Sequence, residues 1–130
     1  MKFPYYKQQT TGTCGFACLR MVLEYFGKFF TEYELSKIIK FLPKRGISAK
    51  MIYDICDIIN FKSRIVFYKS LDKLKVEIAS GFYPIVLVKV KFYAEIEEEL
   101  DHFVIVKDIT DNYVIVNDPD QEYGGENKEV

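Results

Sequence analysis

The amino-acid sequence predicts an α+β fold in which N-terminal helices pack on a C-terminal antiparallel sheet. Apolar residues recur at helical spacing through the first 60 residues, whereas the apolar stretches after residue 84 are runs of β-branched residues. The turn residues Asp111 and Asn112 separate two of these runs, which is typical of an antiparallel hairpin. Helices that precede strands, rather than alternate with them, indicate an α+β protein.

Three amphipathic helices are predicted in the first 60 residues. The first covers residues 14–26 and ends at Gly27. The second starts with a capping-box sequence and covers residues 31–42, where Pro43 closes it. The third covers residues 48–60 and has a serine at its N-terminus that can cap it. Together they form the helical half of the predicted fold.

The second half of the chain changes from helical to strand patterns. In order, the sequence favours extended structure at 63–68, a helix at 70–80, and strands at 84–92, 102–106 and 113–116. The last two strands flank the Asp-Asn turn and are expected to pair. Beyond them, Gly124 and Gly125 are predicted to belong to a flexible tail.

Composition limits the functional classes. The chain has 130 residues with 49% hydrophobic and 28% charged side chains, which fits a single globular domain spanning residues 1–130. The net charge of −1 argues against a protein that binds the phosphate backbone of nucleic acids. Residues 1–65 sum to +6 and residues 66–130 to −7, so we expect the two halves to attract one another. The alternative is an acidic surface that recognises a basic partner.

Targeting and metal signals are absent from the sequence. It contains neither a secretory signal nor an apolar run of the roughly 18 residues that a membrane span needs. Three Cys, an odd number without a signal peptide, fit a reducing cytoplasmic setting in which thiols stay free. With one His and no C-x-x-C motif, we expect no structural metal and no cofactor.

Cys14 is the first candidate for chemistry. It follows the polar residues 10–13 and opens the first predicted helix, where unpaired N–H groups and the helix dipole favour a thiolate. Its own N–H would face an oxyanion formed on an attacked carbonyl group. A lone cysteine is more often a small buried apolar residue. The assignment therefore depends on its partners.

His102 and Asp118 are the expected partners of this cysteine. His102 is the only histidine and begins a predicted strand, and Asp118 ends the strand predicted to pair with it. Near the open end of an antiparallel hairpin, residues of the two strands are neighbours, so we expect these side chains to meet. The carboxylate would then orient the imidazole, while the other ring nitrogen takes the thiol proton.

Four segments, read together, resemble one family of enzymes. They are Gln8 followed after five residues by Cys14-Gly15, the helical stretch Ala17–Leu23, the strand His102–Val106, and Asn117-Asp118-Pro119. Their order is similar to that of the bacteriocin-processing cysteine peptidases, papain-like proteases that often form the N-terminal domain of peptide-exporting ABC transporters. The resemblance covers nearly the whole chain.

The resemblance implies a papain-like fold and a cysteine peptidase that removes leader peptides after a Gly-Gly pair. Cys14 would be the nucleophile, His102 the general base and then acid, Asp118 the orienting carboxylate, and Gln8 a donor to the oxyanion. Gln9 is the alternative to Gln8. The implied partners are a leader peptide, whose amphipathic helix docks in an apolar groove, and an ABC transporter, either in the same chain or separate. The location would then be the cytoplasmic face of the membrane.

Other functions remain open at this point. A scaffold of this type could hold a peptide or a partner without cutting it, and the same residues could transfer an acyl group to an amine. Thiol redox chemistry by Cys14 and Cys18 is a third hypothesis, although their four-residue helical spacing is poor for a reactive disulfide. Cys18 and Cys56 fall on apolar helix faces, which predicts that both are core residues.

Overall fold

The computed structural model describes residues 2–41, 46–67, 70–89 and 101–130. These ranges contain four helices and four strands, with the helices first, as predicted for an α+β protein. The helices are α1 (Cys14–Tyr25), α2 (Glu32–Ser36), α3 (Ala49–Ile58) and α4 (Leu71–Ala79), and the strands are β1 (Ile85–Lys89), β2 (Asp101–Ile109), β3 (Val114–Asp118) and β4 (Gly125–Glu129).

The strands form an antiparallel sheet in the order β1-β2-β3-β4. Ile85 of β1 lies opposite Ile105 of β2, and β2 continues through a tight turn into β3. Within this turn the Thr110 N–H donates to the Tyr113 carbonyl at 2.8 Å. The predicted hairpin is therefore confirmed, and it brings the start of β2 next to the end of β3.

Helix α1 is the central packing element because two of its faces are buried. One face packs on α2 and α3 through Phe16, Leu19 and Leu23. A second face packs on the sheet through Cys18, Met21 and Val22, which contact a cluster that includes Phe103 and Ile105. Successive side chains of a strand point to opposite faces, so the intervening residues of β2 pack elsewhere, with Leu74 of α4. Strand β2 is thus buried on both faces.

The N-terminal caps of α2 and α3 follow the sequence signals. The Thr31 hydroxyl accepts from the Glu34 N–H and the Glu34 carboxylate accepts from the Thr31 N–H, each at 3.0 Å, which completes the predicted capping box. The Ser48 hydroxyl accepts from the Met51 N–H at 3.2 Å. Local polar residues therefore set where both helices begin.

Helix α2 is shorter than predicted. It ends at Ser36, because the Lys37 and Ile38 N–H groups donate three residues back and tighten the chain out of the helix. Ile38 still packs on the helical core, which explains the apolar periodicity that suggested a longer helix. The remainder of the predicted helix, Leu42 and Pro43, lies outside the described residues.

Two predicted extended segments also differ. Residues 63–67 have no regular strand structure, although their composition favours one, and Tyr68 lies outside the described residues. Strand β1 covers residues 85–89 of the predicted 84–92, and residues 90–92 lie outside the described part.

The prediction of a flexible tail at Gly124-Gly125 was wrong. Gly125 begins β4, which pairs with β3 and places Gly125 opposite Asp118. A Cβ atom at Gly124 would lie 2.3 Å from the Asp120 carbonyl oxygen and 2.5 Å from the Asp118 carbonyl oxygen. The absence of a side chain at Gly124 is therefore what lets the chain turn tightly enough to add a fourth strand.

Two ion pairs join the basic first half of the chain to the acidic second half. The Arg64 guanidinium lies 2.6 Å from the Glu77 carboxylate, and the Lys2 ammonium lies 4.0 Å from that of Glu126. Both involve exposed cations, so each contributes little to stability.

Across the described ranges, no helix is long and apolar enough to cross a lipid bilayer.

Candidate active site

Helix α1 begins at Cys14, as the sequence predicted, and the thiol is partly exposed. The residue before it, Thr13, does not cap the helix with its side chain. Its hydroxyl donates instead to the Thr10 carbonyl at 2.8 Å. The positive end of the helix dipole therefore lies next to Cys14 without a capping oxygen, which favours a negative charge at this position.

Gly15, the second residue of α1, packs tightly against the core. The residue is buried, and a Cβ atom there would lie 2.6 Å from Cγ1 of Ile47 and 3.3 Å from the Phe103 ring. A residue without a side chain thus lets the first turn of α1 pack closely on the core.

The hairpin brings His102 and Asp118 together. The His102 Nε2 lies 2.6 Å from Oδ1 of Asp118, and the two residues are 5% and 0% exposed. The same Oδ1 accepts the Asp120 N–H at 2.9 Å, and the Asp118 carbonyl accepts the Tyr5 hydroxyl at 2.7 Å. Both the carboxylate and the backbone of Asp118 are therefore held by hydrogen bonds.

The Cys14 thiol lies close enough to the His102 ring to affect its charge. Burial lowers the pKa of His102, but hydrogen bonds with Asp118 and with Cys14, and the attraction of their charges, raise it to about 9. Because Nε2 is taken by the carboxylate, Nδ1 is the nitrogen left for the sulfur. The three side chains form a series of thiol, imidazole and carboxylate.

Gln8 is buried, with 7% of its surface exposed, whereas the neighbouring Gln9 is exposed. The Gln8 side-chain amide donates to the Thr10 carbonyl at 3.0 Å. Its backbone N–H donates to the Pro119 carbonyl at 2.7 Å, which ties this segment to the residue after Asp118. Of the two glutamines left open by the sequence, Gln8 is the one that faces the protein interior.

Two residues near the site were missed from the sequence. The Tyr123 ring packs edge-on against the His102 ring, with centroids 5.7 Å apart. The Glu32 side chain is 3% exposed and accepts the Gln9 N–H. The sequence around each of these residues does not indicate a role at the site. Tyr123 comes from the turn before β4 and Glu32 from the start of α2, so only the fold brings them there.

The other cysteines lie in the core, as predicted. Cys18 is fully buried, its thiol donates to the Phe103 carbonyl at 3.4 Å, and burial raises its pKa well above the ordinary value. Cys56 is 2% exposed, and burial raises its pKa as well. A thiol that is buried and held protonated is a poor partner for redox exchange with Cys14.

Metal ligands do not cluster in the part of the chain that the structure describes. Nowhere in it do three or more His, Cys, Asp or Glu side chains come together as a metal site would require.

Two solved structures share this fold. The peptidase domain of Streptococcus ComA, a bi-functional ABC transporter involved in a quorum sensing pathway, matches with a TM-score of 0.72 at 21% sequence identity, over 95% of this chain and 83% of that chain. A Bacillus anthracis protein described as a C39-like peptidase matches with a TM-score of 0.80 at 15% identity, over 99% of this chain and 84% of that chain. These likenesses confirm the papain-like fold class.

The sequence itself identifies the family. No curated protein matches it at a significant level. The model of the peptidase C39 family, in contrast, matches residues 2–128, nearly the whole chain. This match confirms the family resemblance noted from the motifs and supports the coarse prediction of a cysteine peptidase. The protein belongs to the peptidase C39 family.

Proposed function

We propose that this protein is a cysteine endopeptidase that cleaves a peptide bond after a Gly-Gly pair. The observation that carries the proposal is the series Cys14, His102 and Asp118, in which the 2.6 Å imidazole–carboxylate pair is buried and the thiol is partly exposed. A nucleophile, a base in contact with it and a group that orients the base are the parts that acyl transfer needs.

In the proposed first step, Cys14 attacks as a thiolate. A ring with a pKa of about 9 holds its proton at neutral pH, so the sulfur is paired with an imidazolium. The sulfur forms a bond to the carbonyl carbon, and the carbonyl electron pair moves to oxygen. The Cys14 N–H and the Gln8 side-chain amide would donate to that oxyanion. The C–N bond then breaks as His102 gives its proton to the leaving amine.

In the second step, water hydrolyses the thioester. His102, now neutral, takes a proton from water as the hydroxide oxygen attacks the thioester carbon, and the carboxylic acid leaves as the sulfur recovers its electron pair. Asp118 would keep Nε2–H directed at itself and Nδ1 directed at the sulfur throughout. Its burial and its hydrogen bond from the Asp120 N–H support this orienting role.

The substrate and partner belong to the same proposal. A Gly-Gly junction rests on the motif resemblance to peptidases that remove leader peptides. The fold likeness to the ComA peptidase domain supports an ABC transporter as partner, in the same chain or separate. The place of action would be the cytoplasmic face of the membrane.

The test is mass spectrometry of peptides incubated with the protein. One set of peptides contains a Gly-Gly junction and a matched set has Ala-Ala at the same place. Wild type and Cys14→Ala are compared, with Cys56→Ala as the matched control because Cys56 is a core cysteine of α3. We expect cleavage after Gly-Gly by wild type and Cys56→Ala, and a loss of several orders of magnitude in Cys14→Ala.

Three other outcomes would change the conclusion. Cleavage that persists in Cys14→Ala would exclude this residue as the nucleophile. Binding of the Gly-Gly peptides without cleavage, together with no alkylation of Cys14 at neutral pH, would instead indicate a peptide-binding module on a peptidase fold. Transfer of the acyl group to an added amine would show as a product heavier than the hydrolysed peptide.

A further inference from the structure

The loop before α1, residues 8–13, carries the Gln8 side-chain amide and leads directly to the Cys14 thiol. The proposed function depends on both groups. Its backbone is held from two directions. The Gln121 side-chain amide donates to the Gln8 carbonyl at 2.8 Å and to the Gln9 carbonyl at 3.2 Å. On the other side, the Gln9 N–H donates to both carboxylate oxygens of Glu32, at 3.2 and 3.1 Å.

Glu32 is unusual in being a buried carboxylate at the start of α2. It is the first residue of the helix, yet the capping interactions are made by Thr31 and Glu34, so α2 does not need Glu32 to begin. With only 3% of its surface exposed, its carboxylate is buried. Burial of a carboxylate is unfavourable unless hydrogen bonds or charges compensate for it.

The compensating groups all lie at the loop or on the adjoining helix. Burial raises the pKa of Glu32, while the Gln9 N–H, the Thr13 side chain and the charge of Arg20 lower it. Gln9 directly follows Gln8, and Thr13 directly precedes Cys14. The carboxylate thus holds the loop by the hydrogen bonds from the Gln9 N–H, beside the proposed oxyanion donor.

We propose that Glu32 is a positioning residue, whose buried carboxylate fixes the loop of residues 8–13 and thereby the place of the Gln8 amide relative to the Cys14 thiol. This inference rests on the proposed peptidase function. Glu32 touches neither substrate nor sulfur in the mechanism, and it acts through the Gln9 N–H and Thr13. Its effect belongs to the transition state, because a donor to an oxyanion acts only after attack has begun.

The test compares three variants by steady-state kinetics on a cleaved peptide. We expect Glu32→Ala to lower kcat about 10- to 100-fold with KM changed less than about threefold, the range for a displaced oxyanion donor. Glu32→Gln keeps one acceptor oxygen and should recover kcat to within about threefold of wild type. Glu24→Ala is the matched control, since Glu24 also accepts one donor with both oxygens, the Tyr6 hydroxyl at 2.8 and 2.9 Å, on another helix.

A second readout separates positioning from general destabilisation. A peptide aldehyde adds to Cys14 and forms an oxyanion-like oxygen, whereas iodoacetamide alkylates the sulfur without one. We expect Glu32→Ala to weaken aldehyde inhibition about 10-fold or more and to change the alkylation rate less than about threefold. If Glu32→Ala does not fold, Glu32→Asp replaces it, because the shorter side chain keeps the charge but withdraws from the Gln9 N–H.

The possible results separate failure of the Glu32 positioning role from failure of the proposed peptidase function. Wild-type kcat in Glu32→Ala, or an equal loss in Glu24→Ala, overturns the positioning role and leaves the peptidase intact. An equal fall in aldehyde affinity and alkylation rate also overturns it, because a structural defect would affect both. A wild-type protein that neither cleaves nor alkylates at Cys14 overturns the peptidase proposal and the role of Glu32 together.

Discussion

The charge of the candidate site depends on whether the His102 ring is protonated. Burial by itself would keep the imidazole neutral, and the carboxylate of Asp118 together with Cys14 reverses that preference. Because its folded pKa of about 9 exceeds the ordinary 6.5, protonation of His102 stabilises the fold. This contribution is fully present below about pH 6.5 and is lost as the pH rises through about 9.

Replacement of Asp118 by asparagine should therefore change both rate and pH dependence. We expect wild-type kcat/KM to fall above about pH 9 as His102 loses its proton. In Asp118→Asn the decline should begin at lower pH, because the carboxylate no longer raises the pKa of His102, and kcat should fall up to about 10⁴-fold through the wrong tautomer.

Nuclear magnetic resonance can follow this pKa directly, since His102 is the only histidine. Its ring signals should titrate near pH 9 in wild type and at lower pH in Asp118→Asn. Cys14→Ala should lower the midpoint as well, because the sulfur contributes to the shift. Equal midpoints in wild type and Asp118→Asn would contradict the role given to the carboxylate.

At the scale of elements, the turn between β3 and β4 packs against the end of β3 that carries Asp118. Asp118 ends β3, and Gly124 packs on the backbone of Asp118 and Asp120 as the chain returns into β4. Asn117, beside Asp118, accepts the Asn127 N–H of β4 through its side chain at 3.0 Å. The fourth strand thus fixes the end of β3 where the site lies.

Gly124→Ala should destabilise the protein, whereas Gly125→Ala should not. A Cβ atom at Gly124 meets backbone atoms that cannot move aside, and nothing lies within 4 Å of one at Gly125. We expect a loss of about 1–3 kcal/mol in the free energy of unfolding for Gly124→Ala, measured in urea. Equal stability of the two variants would show that the backbone around Gly124 can move to accommodate a Cβ atom without a loss of free energy.

At the scale of the whole molecule, α1 joins the helical and sheet halves. Its residues enter both the cluster shared with α2 and α3 and the cluster shared with β2. Cys14, the proposed nucleophile at the start of this helix, is therefore held by the helical half, while His102 and Asp118, the proposed base and its orienting carboxylate, come from the sheet. The site is complete only when both halves are folded together.

We accordingly predict that residues 1–130 unfold as one unit. In urea, far-ultraviolet circular dichroism and tyrosine fluorescence, the latter from 10 Tyr in a chain without Trp, should give the same transition. Leu23→Ala removes a fully buried side chain of α1 and should lower the stability by about 2–5 kcal/mol with both probes. Separate transitions for the two probes would indicate two independent units instead of one domain.

Much of the fold and site follows from local signals. The helix that opens at Cys14, the caps at Thr31 and Ser48, and the hairpin that joins β2 to β3 all depend on residues a few positions apart. The hairpin also explains why the contact of His102 with Asp118 could be expected, since a turn of known position determines which residues are neighbours. These elements are predictable because interactions between residues close in sequence determine where they begin and turn.

Two features depend on contacts that local patterns do not reveal. Strand β4 forms from residues predicted to be a tail because it pairs with β3, and the Glu32 carboxylate reaches back to the Gln9 N–H. The early end of α2 is different, since local hydrogen bonds to carbonyls three residues back replace the helical pattern while the apolar spacing continues. The family, the fold class and the residues proposed for the reaction are predictable from the sequence because they depend on motifs and local periodicity. Which strand completes the sheet and which buried carboxylate holds the loop beside the sulfur depend on packing between segments that no local pattern brings together.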